Sequence, residues 1–380
     1  MNKKPGLSIK RLVECGSKIA DPRRQAGNYK HKLVDMLAMT ILAMMCGCET
    51  WDEIADYCAG KKEWLQSLLG FRHNTPSEAT FRRMYTRLAP GNLESMYREW
   101  VRPYVNGCRK KHIGIDGKTV RGVATGSGEW SNLHVLSAWV REDGISLGQI
   151  NLDEKENEIV AIPRLLDVEH IAGGTVAIDA MDCQTAIAEK IISRGAGYLL
   201  AVKGNQPNLL KEMTDYFEWA QTDEVEKKQL SIYDDTEWSH GRYYHRKTVA
   251  TSEIHWFESR KQWRELRSFI MIEQKRIEQK GTSFERRYYI SSLDTSGKAF
   301  AQYIRGHWSI ENNLHWMLDV QFHEDKSLIC TGHAPENISI LRKIALSLLI
   351  HDTSRRISIR RKQRLLSYDG NYALDLFSGF

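Results

Sequence analysis

At 380 residues, with 42% hydrophobic and 27% charged side chains, the chain is long enough for two or three globular units with real cores and too apolar for extended disorder. The net charge of +6 admits a nucleic-acid partner without requiring one. Seven scattered cysteines form no Cys-x-x-Cys pair, which argues against a disulfide framework and a structural zinc and favours a reducing compartment. The most apolar stretch, Met36 to Gly47, falls short of the roughly 20 residues a bilayer span needs, and no signal-peptide apolar run is evident at the N-terminus. A soluble, cytoplasmic protein is expected.

The first hundred residues read as helices. Leu33 to Met45 carries a one-sided apolar stripe, and Thr50-Trp51-Asp52-Glu53 has the form of a capping box opening the next helix. A further helix covers Lys62 to Leu69. Ser77 then caps a helix through Leu88 that carries Arg82, Arg83 and Arg87. A helix, a short turn and a basic helix resemble a helix-turn-helix whose arginines would contact DNA. A helical bundle with a solvated basic face fits the same pattern.

From Lys111 the pattern changes. Lys111 to Asp116, Leu133 to Val140 and Ser146 to Asp153 read as three consecutive strands. Glu158 to His170 is a helix, Thr175 to Asp179 a strand, Gln184 to Gly195 a helix and Tyr198 to Val202 a strand. Three antiparallel strands followed by alternating helix and strand predict a mixed α/β sheet with helices on its faces, the order of ribonuclease-H-like domains. Between Lys203 and Leu293 the alternation lapses into a helix, an acidic segment and strands near Thr248 to Ile254, Arg267 to Gln274 and Arg286 to Ser291. This stretch reads as a partly β insertion. Lys298 to Phe322 and Pro335 to His351 follow as long helices. The expected division is a helical domain over 1–108, a catalytic domain over 109–204 and 294–365, the insertion over 205–293, and a tail over 366–380.

Two β-branched runs end in acids, at Asp116 and Asp179, and a later helix carries Glu311. If the fold brings them together, three carboxylates raise one another's pKa unless a cation compensates them. Mg2+ or Mn2+ prefers such oxygen ligands, and two ions roughly 3.5–4 Å apart would activate an attacking hydroxyl and stabilise a leaving oxygen. Asp182 competes with Asp179, and Glu324 and Asp325 compete with Glu311. His307, Glu311, His315 and Asp319 fall at four-residue steps on one helix face, where the flanking groups would orient the site. Lys118, Arg121 and Lys203 are candidate phosphate contacts. Arg355, Arg356, Arg360, Arg361, Lys362 and Arg364 place six cations within ten residues, suited to a phosphate backbone.

Several segments together resemble the H-repeat-associated insertion-sequence transposases, a branch of the DDE superfamily. They include Asp21-Pro22-Arg23, Pro76-Ser77-Glu78-Ala79-Thr80-Phe81, Ile115-Asp116-Gly117-Lys118-Thr119 and Asn157-Glu158-Ile159-Val160-Ala161-Ile162-Pro163. They continue with Ile178-Asp179-Ala180-Met181, Val202-Lys203-Gly204-Asn205-Gln206, His240-Gly241-Arg242, and His307 through Asn312 with Leu314-His315-Trp316 and Leu318-Asp319-Val320. The resemblance implies a ribonuclease-H-like domain with Asp116, Asp179 and Glu311 as catalytic metal ligands. It also implies a transposase-associated N-terminal domain, double-stranded DNA (transposon ends and target) as partner, and a homodimer or higher multimer on DNA in a prokaryotic, nucleoid-associated setting. Asp182 stands where the family usually has Gly, and Tyr243 and Tyr244 replace acidic residues. A catalytically impaired DNA-binding descendant and a purely hydrolytic nuclease are the alternative readings.

Overall fold

The computed structural model describes residues 7, 9–23, 30–105, 108–122, 133–152, 156–239, 241–278 and 281–377. His240, in the His-Gly-Arg segment, lies outside them. Six helices come first: α1 (Ile9–Gly16), α2 (Leu33–Met45), α3 (Trp51–Gly60), α4 (Lys62–Leu69), α5 (Glu78–Arg87) and α6 (Pro90–Val101). The expected capping box opens α3, with the Glu53 amide donating to Thr50 Oγ1 and the Thr50 amide donating to Glu53. The break expected from Gly70 to Ser77 separates α4 from α5, and α5 packs mainly on α3.

Strands β1 (His112–Val120), β2 (Leu133–Val140) and β3 (Ile145–Leu152) follow, then α7 (Glu158–Val168), β4 (Thr175–Ile178), α8 (Thr185–Ser193), β5 (Gly197–Val202) and α9 (Pro207–Ala220). Next come β6 (Ser231–Ser239), β7 (Arg242–Thr251), β8 (Ser268–Glu278) and β9 (Gly281–Ser291), and finally α10 (Gly297–Ile310), α11 (Trp316–Gln321), α12 (Ala334–His351), α13 (Ile359–Tyr368) and α14 (Gly370–Phe377).

Among the described residues nine strands form one sheet in the order β3-β2-β1-β4-β5-β9-β8-β7-β6. β1, β4 and β5 run parallel, and every other pairing is antiparallel. β4 is buried along its whole length, as a central parallel strand covered on both faces must be. The strands of the expected insertion do not stand apart. β9 pairs with β5, satisfying an edge that would otherwise leave its amides and carbonyls unpaired, and so carries the sheet onward. β6 closes that end. Its Asp234, Asp235 and Glu237 hid it from the apolar pattern, yet charges suit an exposed edge strand.

α12 is buried nearly all round. A helix in that position sits between layers, and α12 packs on α2, α5 and α6 on one side and on β3 on the other. The helical region and the sheet therefore share a continuous apolar core. Among the described residues no helix is long and apolar enough to cross a membrane.

Candidate active site

The parallel ladder between β1 and β4 ends at Ile115 opposite Ile178. Asp116 and Asp179 occupy the next register position. The expectation that both acids stand at strand ends holds only for Asp179. β1 continues to Val120, because β2 goes on pairing with it, and Asp116 lies mid-strand opposite Ser137. Beyond Asp179 the chain enters a tight turn, Ala180–Asp182, that exposes Met181 and buries Asp182.

A fourth carboxylate arrives from α7. Asn157 caps that helix by accepting from the Val160 amide at 3.2 Å, which sets Glu158 at its first position. There Glu158 lies against Gly117. A Cβ on Gly117 would stand 2.6 Å from Glu158 Cδ, so only glycine admits the carboxyl this close to the backbone beside Asp116. Glu158 and Asp182 are neighbouring carboxyls whose ionisations are linked. Burial first, and then the charge of Glu158, push Asp182 up to about 7. Glu158 is likewise raised, by burial and by Asp116.

Two histidines reach these acids from the opposite side. Ile310, at the end of α10, sits on Gly114 with its Cγ2 3.3 Å from where a Cβ would be, so α10 crosses β1 closely. His307 Nε2 lies 3.4 Å from Asp179 Oδ1, and His315 Nε2 lies 3.3 Å from Asp116 Oδ2. The contact with His307 is the main reason Asp179 is held below the usual carboxylate range, with Lys203 and Arg287 adding to it. His315 is buried, and neither of its ring nitrogens makes an aligned hydrogen bond, so its link to Asp116 is one of proximity.

Glu311 falls between the two histidines, in a π-helical turn (Glu311–His315) that joins α10 to α11. Such a turn inserts an extra residue and changes which side chains face the sheet. It leaves Glu311, Asn312 and Asn313 exposed while His315 turns inward. Among the described residues, no three His, Cys, Asp or Glu side chains are close enough to form a ready metal-ligand set. The donors nonetheless fit a hard divalent ion in kind: they are carboxylates, and Asp116, Asp179, Glu158 and Asp182 are near enough to feel one another's charge.

Lys118, two residues after Asp116, does not take the place of a phosphate contact that its position suggests. It is instead buried against Asp319, against Glu324 at 2.7 Å and against Asp325 at 3.8 Å. With three carboxylates around it, its ammonium is not presented to an outside anion. The same contacts occupy Asp319 and the two rivals of Glu311. Arg121 is exposed in the turn after β1, and Lys203 is exposed just past β5 beside Asp179. Arg82, Arg83 and Arg87 are exposed on α5, with Arg82 paired to Glu78 at 3.2 Å and Arg83 donating to the Ala79 carbonyl at 3.0 Å. In the C-terminal cluster Arg360 and Arg361 are exposed. Lys362 is buried, donating to the Leu349 carbonyl at 2.8 Å, and Arg355 pairs with Asp369 at 3.1 Å. Sequence reasoning missed Glu158, although an acid directly after an Asn cap at a strand-to-helix junction was the available signal.

Comparison with known proteins agrees with this picture. Residues 13–101 match the family described as DDE_Tnp_1-associated, and residues 107–348 match the Transposase DDE domain. The chain is 36% identical over 382 residues to "H repeat-associated putative transposase YhhI" of Escherichia coli strain K12, covering 98% of this chain and 99% of that protein. It is 36% identical over 372 residues to "Putative transposase YncI" of Escherichia coli O157:H7, covering 96% and 94%. Among solved structures, the piggyBac transposase synaptic complex with hairpin DNA aligns over 98% of this chain and 79% of that one, with 10% identity and a TM-score of 0.44, too distant to bear on the fold. With a domain match spanning most of the sheet and near full-length relatives on both sides of it, the chain belongs to the DDE transposases, in the H repeat-associated branch.

Proposed function

We propose that this protein is a DNA transposase that cuts at the ends of its element and joins them to target DNA, with Asp116, Asp179 and Glu311 holding Mg2+ or Mn2+. The observation that carries the reading is the register of β1 and β4, which sets Asp116 and Asp179 side by side among carboxyls that push Asp182 and Glu158 up. The order β3-β2-β1-β4-β5, with its parallel centre and antiparallel flank, supports a ribonuclease-H-like catalytic core.

When bound, one or two divalent ions would neutralise the carboxylates and supply an activated hydroxyl together with a stabilised leaving oxygen. The chain's own residues do the rest. His307 keeps Asp179 ionised and His315 stands against Asp116, while the π turn holds Glu311 exposed between the two histidines. Glu158 and Asp182 are both raised, Asp182 to about 7, so near neutral pH the pair sets less than two full charges beside Asp116 and Asp179. Lys203, beside Asp179, is placed to meet the phosphate approaching it.

The test is cleavage of a labelled duplex bearing the element's end, in magnesium or manganese. Wild type should cut it and yield products joined to target DNA, whereas Asp179→Ala should bind without cutting, and magnesium should raise the thermal midpoint of wild type more than that of the variant. Equal cleavage by both proteins sinks the site assignment. Binding by wild type with no scission under any condition identifies a DNA-binding descendant, and scission without joined products identifies a nuclease.

A further inference from the structure

The face of the sheet that α10 covers does not end with that helix. Beneath α10 the face is apolar, with Ala250, Ile270, Ile272 and Tyr289 packed on Phe300 and Ile304. Farther along β6–β8 the same face turns polar, because the cross-strand rows Asp235-Arg246-Gln274 and Glu237-Tyr244-Arg276 project from it. Arg287 from β9, Arg305 from α10 and Arg141 from the turn after β2 converge there too, and the result is a cavity of about 660 Å3.

Five arginines line this groove; Arg246 meets Asp235 and Glu237, Arg305 meets Asp235, and Arg276 and Arg287 pair with Glu278 and Glu285. The acids do not saturate them. Arg141 and Arg305 are exposed, and Arg141 uses one nitrogen on the Gln302 carbonyl at 3.0 Å. A guanidinium offers five donors, so Arg141 with one carbonyl and Arg305 with one carboxylate keep most of the fork open to phosphate.

The groove also leads somewhere. Trp308, Arg287 and Tyr289 line it and, at the same time, line a second cavity of about 540 Å3 that contains Asp179, His307 and Lys203. Trp308 forms the wall between the two, with the Arg287 guanidinium 5.1 Å from its ring centre.

We propose that this groove, between α10 and the β6–β9 extension, is the track on which the DNA backbone is held as it enters the carboxylate site, its phosphates met by Arg141, Arg246, Arg276, Arg287 and Arg305. This rests on the reading of the site as one acting on DNA. The sheet extension then serves as a flat, arginine-bearing surface in line with Asp179, distinct from the basic helices α5 and α13.

The experiment is the salt dependence of binding, measured by fluorescence anisotropy with the full chain and a labelled duplex carrying the element's end. Wild type is compared with the double variants R141A/R305A and R141K/R305K and with Lys261→Ala, an exposed charge removed elsewhere. R141A/R305A should bind at least about tenfold more weakly, and the slope of log affinity against log salt should fall by about two, one for each phosphate no longer neutralised. R141K/R305K should keep the slope, because lysine retains the charge, and Lys261→Ala should match wild type. A wild-type slope in R141A/R305A, or an equal loss in Lys261→Ala, overturns the groove alone. A wild type that binds no DNA overturns the functional reading and the groove together.

Discussion

Asp116 and Lys118 stand two residues apart on β1, on the same face of the sheet, and their surroundings are electrostatic opposites. Around Lys118 the protein balances its own charge: one ammonium is enclosed by Asp319, Glu324 and Asp325, with Arg342 and Lys343 adding positive charge from α12. Glu324 is almost wholly buried and is still held below its usual range, because Lys118, Arg342 and Lys343 outweigh its burial. Around Asp116 nothing comparable exists. Glu158 and Asp182 are raised, their neighbours include further acids, and the basic groups nearest Asp116 and Asp179 are the two histidines that flank Glu311, with Lys203 and Arg287 beside Asp179. A fold that neutralises one buried cluster and leaves the adjacent one acidic reserves the second for a charge from outside. The first cluster is scaffold for the second, because it ties the segment after α11 to the strand that bears Asp116.

The largest effect follows from breaking the balanced side. Lys118→Met removes the central cation while Glu324 stays buried, and losing one partner of a buried pair costs about 3–5 kcal/mol. The denaturant midpoint should fall sharply, and cleavage should fall with it as the segment after α11 lets go of β1. An unchanged midpoint would show that the pairing contributes nothing to the fold.

A smaller and more selective effect is expected on the acidic side. Gly117→Ala puts a methyl where the Glu158 carboxyl now lies. The obstacle is the far end of a flexible side chain, so relaxation costs little, about 1 kcal/mol. Glu158 must nevertheless leave Asp182 and Asp116, and displacements of that size at a reacting centre lower rates by about a hundredfold. Single-turnover cleavage should therefore drop far more than the unfolding midpoint. If Glu158 is only a surface acid, both will stay near wild type.

How much of this could be read in advance follows from the range of the interactions. α2, α4 and β2 were legible to the residue, because an apolar stripe or run and its flanking breaks are written locally. Asp116 and Asp179 stood out for the same reason, each closing a short apolar run. The role of Lys118 could not be read, since Glu324 lies about two hundred residues away and only the packing of α11 brings it near. The continuation of β1 past Asp116 was hidden because Gly117-Lys118-Thr119 lacks an apolar pattern, and pairing with β2, not propensity, extends it. The π turn at Glu311 leaves no mark in periodicity at all, since one helical spacing passes into the next without a break in composition.

The finest test separates the two buried lysines of the balanced region. Lys118 faces carboxylates, and although burial works against it, Glu324 and Asp319 raise it above the ordinary lysine value. Lys343 donates to neutral partners, Ser137 Oγ at 2.8 Å and Gln149, and burial brings it down to about 8. The signs then differ. A lysine depressed in the folded state is charged more readily when unfolded, so between pH 8 and its usual value of 10.5 the unfolded chain binds more protons and stability rises with pH. Relative to Lys343→Met, wild type should gain stability as pH climbs from about 8, whereas relative to Lys118→Met it should gain none until it passes 10.5 and lose it above. Urea midpoints of the three proteins across that range are the measurement. Parallel profiles for the two variants would mean that both lysines feel the same field, and the contrast between a self-balanced and a merely buried cation on this face of the sheet would disappear.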